Sequence, residues 1–158
     1  MNTRSFLLSA LIAGLVMGLL ANLPLLNLIN CFLCVWIWVG AIFAVFLYRR
    51  FNASDPDLTV GQGVGLGAVA GLIAAVFGAV VFGVTSALSM PLFNSLARAL
   101  QIEGDIPFGQ GGFGGILVQV IIFLILDLVL YPIFGAVGGL IGTGLIWKKP
   151  VEVSSPTQ

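Results

Sequence analysis

The chain has 158 residues, 59% of them hydrophobic and 8% charged, with a mean hydropathy of +1.17, no histidine and a formal net charge of zero. A soluble domain carries about 25% charged residues, so too few polar side chains remain to face water everywhere, and the lipid bilayer must cover part of the surface. Neutrality leaves no basic field for nucleic acid, and the lack of histidine removes the commonest metal ligand and general base; neither a metal, a cofactor nor an enzymatic activity is implied.

The expected fold is all-α: an integral membrane four-helix bundle forming one domain over residues 1–149, followed by a short cytoplasmic tail at 150–158. A crossing helix needs about 20 mainly apolar residues. The first such run is 6–28, interrupted only by Ser9, Asn22, Pro24 and Asn27. It reads as a helix rather than a cleaved leader, because the small-x-small pattern around Ala21 is poor and a second span follows a very short turn. That second run, 32–48, ends at Arg49-Arg50, and a polar loop at 51–61 carries a turn signal at Asp55-Pro56-Asp57. The third run is 64–88 and the fourth 114–147, which Lys148-Lys149 closes.

Between the last two spans, Pro91 is suited to the first position of a helix. Leu92, Phe93, Leu96 and Leu100 then recur on one side, with Asn94, Ser95, Arg98 and Gln101 opposite. This predicts a short amphipathic helix in the outer membrane interface, or one that caps the bundle. The glycine-rich stretch 109–115 that follows reads as a hinge; without a following Lys-Ser/Thr it is not a phosphate loop.

With four spans, Arg4, Arg49, Arg50, Lys148 and Lys149 share one side and Arg98 takes the other. The positive-inside rule then places both termini in the cytoplasm of a multi-pass protein of the cell membrane. Trp36, Trp38, Tyr48 and Trp147 suit an interfacial aromatic belt.

Small residues recur every four positions. Gly63, Gly67, Gly71, Ala75, Ala79 and Gly83 mark the third span, Ala10, Gly14 and Gly18 the first, and Gly135 and Gly139, with Gly138 and Gly142, the fourth. Lipid tails are as apolar as leucine, so spans associate through close backbone approach rather than by hiding leucine. Such stripes predict glycine-zipper packing within the bundle; a stripe facing outward would instead drive a homo-oligomer. Each half of the chain begins with a striped helix, which is compatible with a duplicated hairpin.

Asp127 is the one charge inside a span. A carboxylate there costs about 2.5–3.5 kcal/mol on the insertion scale, which ten or more neighbours contributing about 0.3–0.6 kcal/mol each outweigh. A proton, or a hydrogen bond from another helix, would lower the cost. Gln119, Phe123, Asp127, Tyr131, Gly135, Gly139 and Thr143 form one four-spaced row, so Tyr131 neighbours Asp127. Asn22, Asn27, Thr85 and Ser86 are further candidate partners. Pro132 removes a backbone donor just after this pair. Asp127 and Tyr131 are thus candidates for an ion or proton site in a small channel or transporter, beside the alternative of a structural hydrogen bond.

Cys31 and Cys34 share a helix face at the head of the second span, where a helix N-terminus favours the thiolate. This Cys-x-x-Cys resembles the quinone-linked thiol oxidases of the bacterial envelope, which implies thiol–disulfide exchange by those two residues. Two features of that family are missing: a second cysteine pair, and an arginine soon after the motif. Packing as small apolar residues, with Asn30 as a cap, is the other reading. Pro24-x-x-Asn27-x-x-Asn30-Cys31-x-x-Cys34-x-Trp36, then Gly40, Ala44-Val45, Tyr48 and Thr59-Val60-Gly61-x-Gly63, resembles a set of uncharacterised small prokaryotic four-span membrane proteins. That likeness implies a membrane protein of unknown function and transfers no site residue; taken with the absence of catalytic groups, the role expected of the chain is structural or accessory.

Overall fold

The computed structural model describes residues 2–22, 35–52, 58–99 and 112–146, and the regular structure in them is wholly helical. The helices are α1 (Thr3–Ala21), α2 (Val35–Phe51), α3 (Val60–Ala99) and α4 (Gly112–Ile146). Three stretches, Thr3–Ala21, Val60–Ser89 and Gly114–Ile146, are long and apolar enough to cross a membrane. The 17 residues of α2 make about 26 Å of helix, slightly less than a bilayer core of about 30 Å. Cys31, Cys34, Asn27 and Asn30, Lys148 and Lys149, and the tail lie outside the described residues.

Local chemistry sets where the helices begin and end. Asn2 is the N-cap of α1, its side-chain oxygen accepting from the Arg4 N–H at 3.2 Å. At the other end the Asn22 N–H donates to the Leu19 carbonyl, and its Nδ2 donates to the Gly18 carbonyl at 2.8 Å. The start of α3 is a capping box: the Thr59 N–H donates to Gln62 Oε1 at 3.0 Å, and the Gln62 N–H donates to Thr59 Oγ1 at 3.3 Å. Those two bonds satisfy N–H groups that have no carbonyl one turn earlier. They move the start of the helix from the expected position 64 back to Val60.

One other expectation changes. The helix expected to end near Leu88 continues without a break through Pro91 to Ala99, so residues 91–99 extend α3 rather than follow a break. Likewise α4 is unbroken through Pro132. The arginine pair falls inside the last turn of α2, where Arg49 and Arg50 complement the negative end of the helix dipole.

Contacts at individual residues fix the directions. A Cβ placed on Gly14 would lie 2.7 Å from the Ala70 carbonyl oxygen, and one on Gly18 would lie 2.9 Å from that of Ala74. Numbers rise together, so α1 and α3 are parallel. The same construction puts Gly138 2.7 Å from Ala41 Cβ and Gly142 3.1 Å from Ile42 Cα, making α2 and α4 parallel. Gly40 meets Met17, and Phe6 meets Tyr48 edge-on at 6.5 Å, making α1 and α2 antiparallel. The bundle is therefore two antiparallel hairpins, α1–α2 and α3–α4, side by side in the same direction. Among the described residues α2 also touches α3, while α1 and α4 do not meet. A two-fold axis would make those two pairs alike, so the hairpins are not related by one.

The core is built largely of alanine: Ala10, Ala13, Ala44, Ala70, Ala74 and Ala75 are buried with Met17, Val45, Tyr48 and Leu66. Small side chains let the axes approach, which replaces the hydrophobic driving force that is weak in lipid. Trp38 stands against Phe134 with ring centroids 6.5 Å apart, and its buried indole N–H has no acceptor among the described residues.

Candidate functional site

The seam between α3 and α4 holds most of the candidate residues. A Cβ on Gly63 would overlap Thr143 Oγ1, one on Gly67 the Gly135 carbonyl oxygen, and one on Gly71 the Tyr131 carbonyl oxygen. In return, Gly135 would strike the Gly67 carbonyl and Gly139 that of Gly63. Numbers run in opposite senses, and the two four-spaced rows face each other. Higher up, Gly83 would touch Val120 at 3.4 Å, and Phe82 meets Phe123 edge-on at 5.2 Å.

Asp127 lies on this row between Tyr131 and Phe123, which places it level with the buried Ala75 and Ala79 of α3. Its side chain is half-buried. Tyr131 is buried within the core. Two of the other partners considered for Asp127, Asn22 and Thr85, are engaged locally, and Asn27 lies outside the described residues. Asn22 donates to Gly18 and sits against Gly78, on a helix that does not touch α4. Thr85 Oγ1 donates to the Val81 carbonyl at 2.8 Å. No hydrogen bond or ion pair joins Asp127 to another described residue.

A simple asymmetry explains this isolation. Hydroxyls and carboxamides carry donors and can bond a carbonyl one turn earlier on their own helix. Ser9 does so to Ser5, Thr85 to Val81, Ser89 to Thr85 and Thr143 to Gly139. An ionised carboxylate has no donor, and a helix interior offers no free N–H. Pro132 adds to the imbalance, since without an N–H it leaves the Leu128 carbonyl without its helical donor. Two adjacent residues, Asp127 and Leu128, thus present acceptors that the helix itself cannot serve.

The remaining glycines of the stripes also lie at contacts within the chain: Gly14 and Gly18 against α3, Gly138 and Gly142 against α2. By contrast Gly61, Gly65, Gly114, Gly115 and Gly144 have open space where a Cβ would stand. The sequence reading did not identify Gly40 as a contact point with Met17, or the Thr59–Gln62 capping box. The Thr-x-x-Gln spacing was the available signal for the second. Among the described residues no three metal-binding side chains gather. Comparison with protein-family models, with curated proteins and with solved structures gives no match.

Proposed function

We propose that the chain is a four-span protein of the cell membrane with a structural or accessory role, held together by glycine-zipper packing. The observation that carries this reading is the α3–α4 seam, where glycine faces glycine or backbone for two turns and more and the axes are as close as side chains permit. A bundle closed by backbone contact along its longest interface is suited to rigidity rather than to passage of solute. Arg4, Arg49 and Arg50 stand at one end of the bundle, which supports a cytoplasmic location for that end. The amphipathic continuation of α3 past Pro91 is suited to the opposite interface.

A second reading rests on Asp127 and the Leu128 carbonyl. An ionisable residue beside a proline in a membrane helix, with two acceptors that find no donor among the described residues, suits a proton or a small cation. One experiment separates the two roles: proteoliposomes carrying the full chain and an internal pH-sensitive dye, subjected to a proton gradient. The structural role predicts decay no faster than in empty vesicles. Decay that is faster, and that Asp127→Asn abolishes, would replace it with the transport reading.

A further inference from the structure

Asp127 carries a negative charge that no residue of this chain can balance at its depth. The carboxyl lies close to the middle of the apolar stretch Gly114–Ile146, with only apolar side chains at 120–126 and 128–130. The basic residues of the whole sequence are Arg4, Arg49, Arg50, Arg98, Lys148 and Lys149, and there is no histidine. Arg4 opens α1, and Arg49 and Arg50 close α2. Arg98 lies beyond Ser89, where the apolar stretch of α3 ends, and the two lysines follow Ile146. From the level of Asp127, Arg98 in one direction and the contact of Arg49 with the Ile146 carbonyl in the other are each about 28 Å or more of helix away. A second copy of the chain would bring another Asp127 and the same distant cations.

The carboxyl is within reach of a neighbour. Its side chain is half-buried, and Phe123, Leu126 and Leu130, all within a turn of it, are 41, 50 and 44% exposed. On the other side α3 packs closely, with Gly71 against Tyr131 and Gly83 against Val120. α2 starts at Val35, one turn before the Trp38 backbone that faces Gly138, so it begins short of the level of Asp127. α1 does not meet α4 among the described residues. Of the described helices, only α3 flanks Asp127. A lysine or arginine in the middle of a membrane helix carries the same kind of penalty as this aspartate. Brought together at one depth, the two neutralise each other through charge-assisted hydrogen bonds, which a low dielectric strengthens. Each charge is unfavourable alone, so such a pair selects a partner as well as holding it.

We propose that Asp127 is the docking point for a membrane helix of another protein, one that carries a lysine or arginine at the same depth and packs on the Phe123–Leu126–Leu130 side of α4. The proposal rests on the structural or accessory role above and names the class of its partner. It is tested with the full chain in phosphatidylcholine vesicles, in a background of Cys31→Ser and Cys34→Ser with an acceptor dye on Gln158→Cys. The probes are donor-labelled leucine–alanine membrane peptides with arginine, lysine, glutamine or leucine at the central position. Energy transfer several-fold above that of the leucine peptide is expected for arginine and lysine only, and Asp127→Asn should reduce it to the leucine level. Equal transfer from all four peptides, or transfer that Asp127→Asn leaves unchanged, overturns the proposal. Should Asp127→Asn also lower the melting temperature, charge exchange decides: Asp127→Lys must take a peptide with central aspartate in place of the arginine peptide, and failure to do so rejects the proposal. Recovery of the chain in the soluble fraction after carbonate extraction would instead defeat the membrane reading. Proton decay that Asp127→Asn abolishes would defeat the accessory role, whichever peptide binds.

Discussion

Replacing Gly67 with alanine tests the α3–α4 seam most directly. The added methyl would fall on the Gly135 carbonyl oxygen, with the Gly135 carbonyl carbon 2.8 Å and the Gly139 Cα 3.1 Å away. All three are backbone atoms of the facing helix, so no rotamer change makes room and the axes must separate. Overpacking costs about 1–3 kcal/mol, and an unyielding backbone neighbour places this site near the upper value. Alanine returns up to about 1 kcal/mol through helix propensity, leaving a net loss of about 2 kcal/mol. Gly65, half a turn away on the same helix, has nothing within 4 Å; there the same substitution is neutral or stabilises by up to about 1 kcal/mol. For a chain of this size 1 kcal/mol shifts Tm by about 2–4 °C, so Gly67→Ala should melt about 4–8 °C below the unsubstituted protein. The assay is thermal unfolding of the detergent-solubilised chain followed by circular dichroism. Equal melting of the two variants would refute the reasoning, because it would mean that the backbones are not in contact at Gly67.

Two further outcomes follow from local features. Trp38→Phe removes a buried N–H without an acceptor among the described residues, whose burial costs about 1–3 kcal/mol, and keeps a ring against Phe134; Tm should stay within about 4 °C of the unsubstituted protein, and a larger fall would indicate that the indole N–H is bonded. Thr59→Ala breaks the capping box at a cost of about 1 kcal/mol, read as faster amide hydrogen exchange over Val60–Gly63 with α4 unaffected; unchanged exchange there would mean that α3 starts later.

Hydropathy made the helices and the small-residue spacing visible, because both are periodic properties of a single segment. The identity of each stripe's partner was not visible. Nothing in Gly14 and Gly18 distinguishes α3 from α4 as the neighbour, since either presents small residues at the same spacing. Pro91 misled for a related reason. Proline disfavours the helical region for its predecessor and removes one donor, but at Pro91, as at Pro132, the local penalty is outweighed and the helix continues. Asp127 was recognisable as exceptional, while the fate of its proposed partners depended on hydroxyls and amides bonding to their own helix, a choice that sequence spacing leaves open.

The parallel packing of α1 on α3 also imposes an order of assembly. In this chain the return is made by α2, which runs back antiparallel to α1 before α3 is laid beside it. Each hairpin can close as soon as its second helix emerges from the ribosome, whereas the contacts of Gly14 and Gly18 join the halves only once both have been inserted. Long-range contacts of this kind form late, because their loop-closure entropy must be met first. A bulky residue at Gly18 would therefore leave both hairpins intact and arrest the chain as two undocked halves in the same membrane, an inserted but unassembled product that a quality-control protease would meet before any folded molecule.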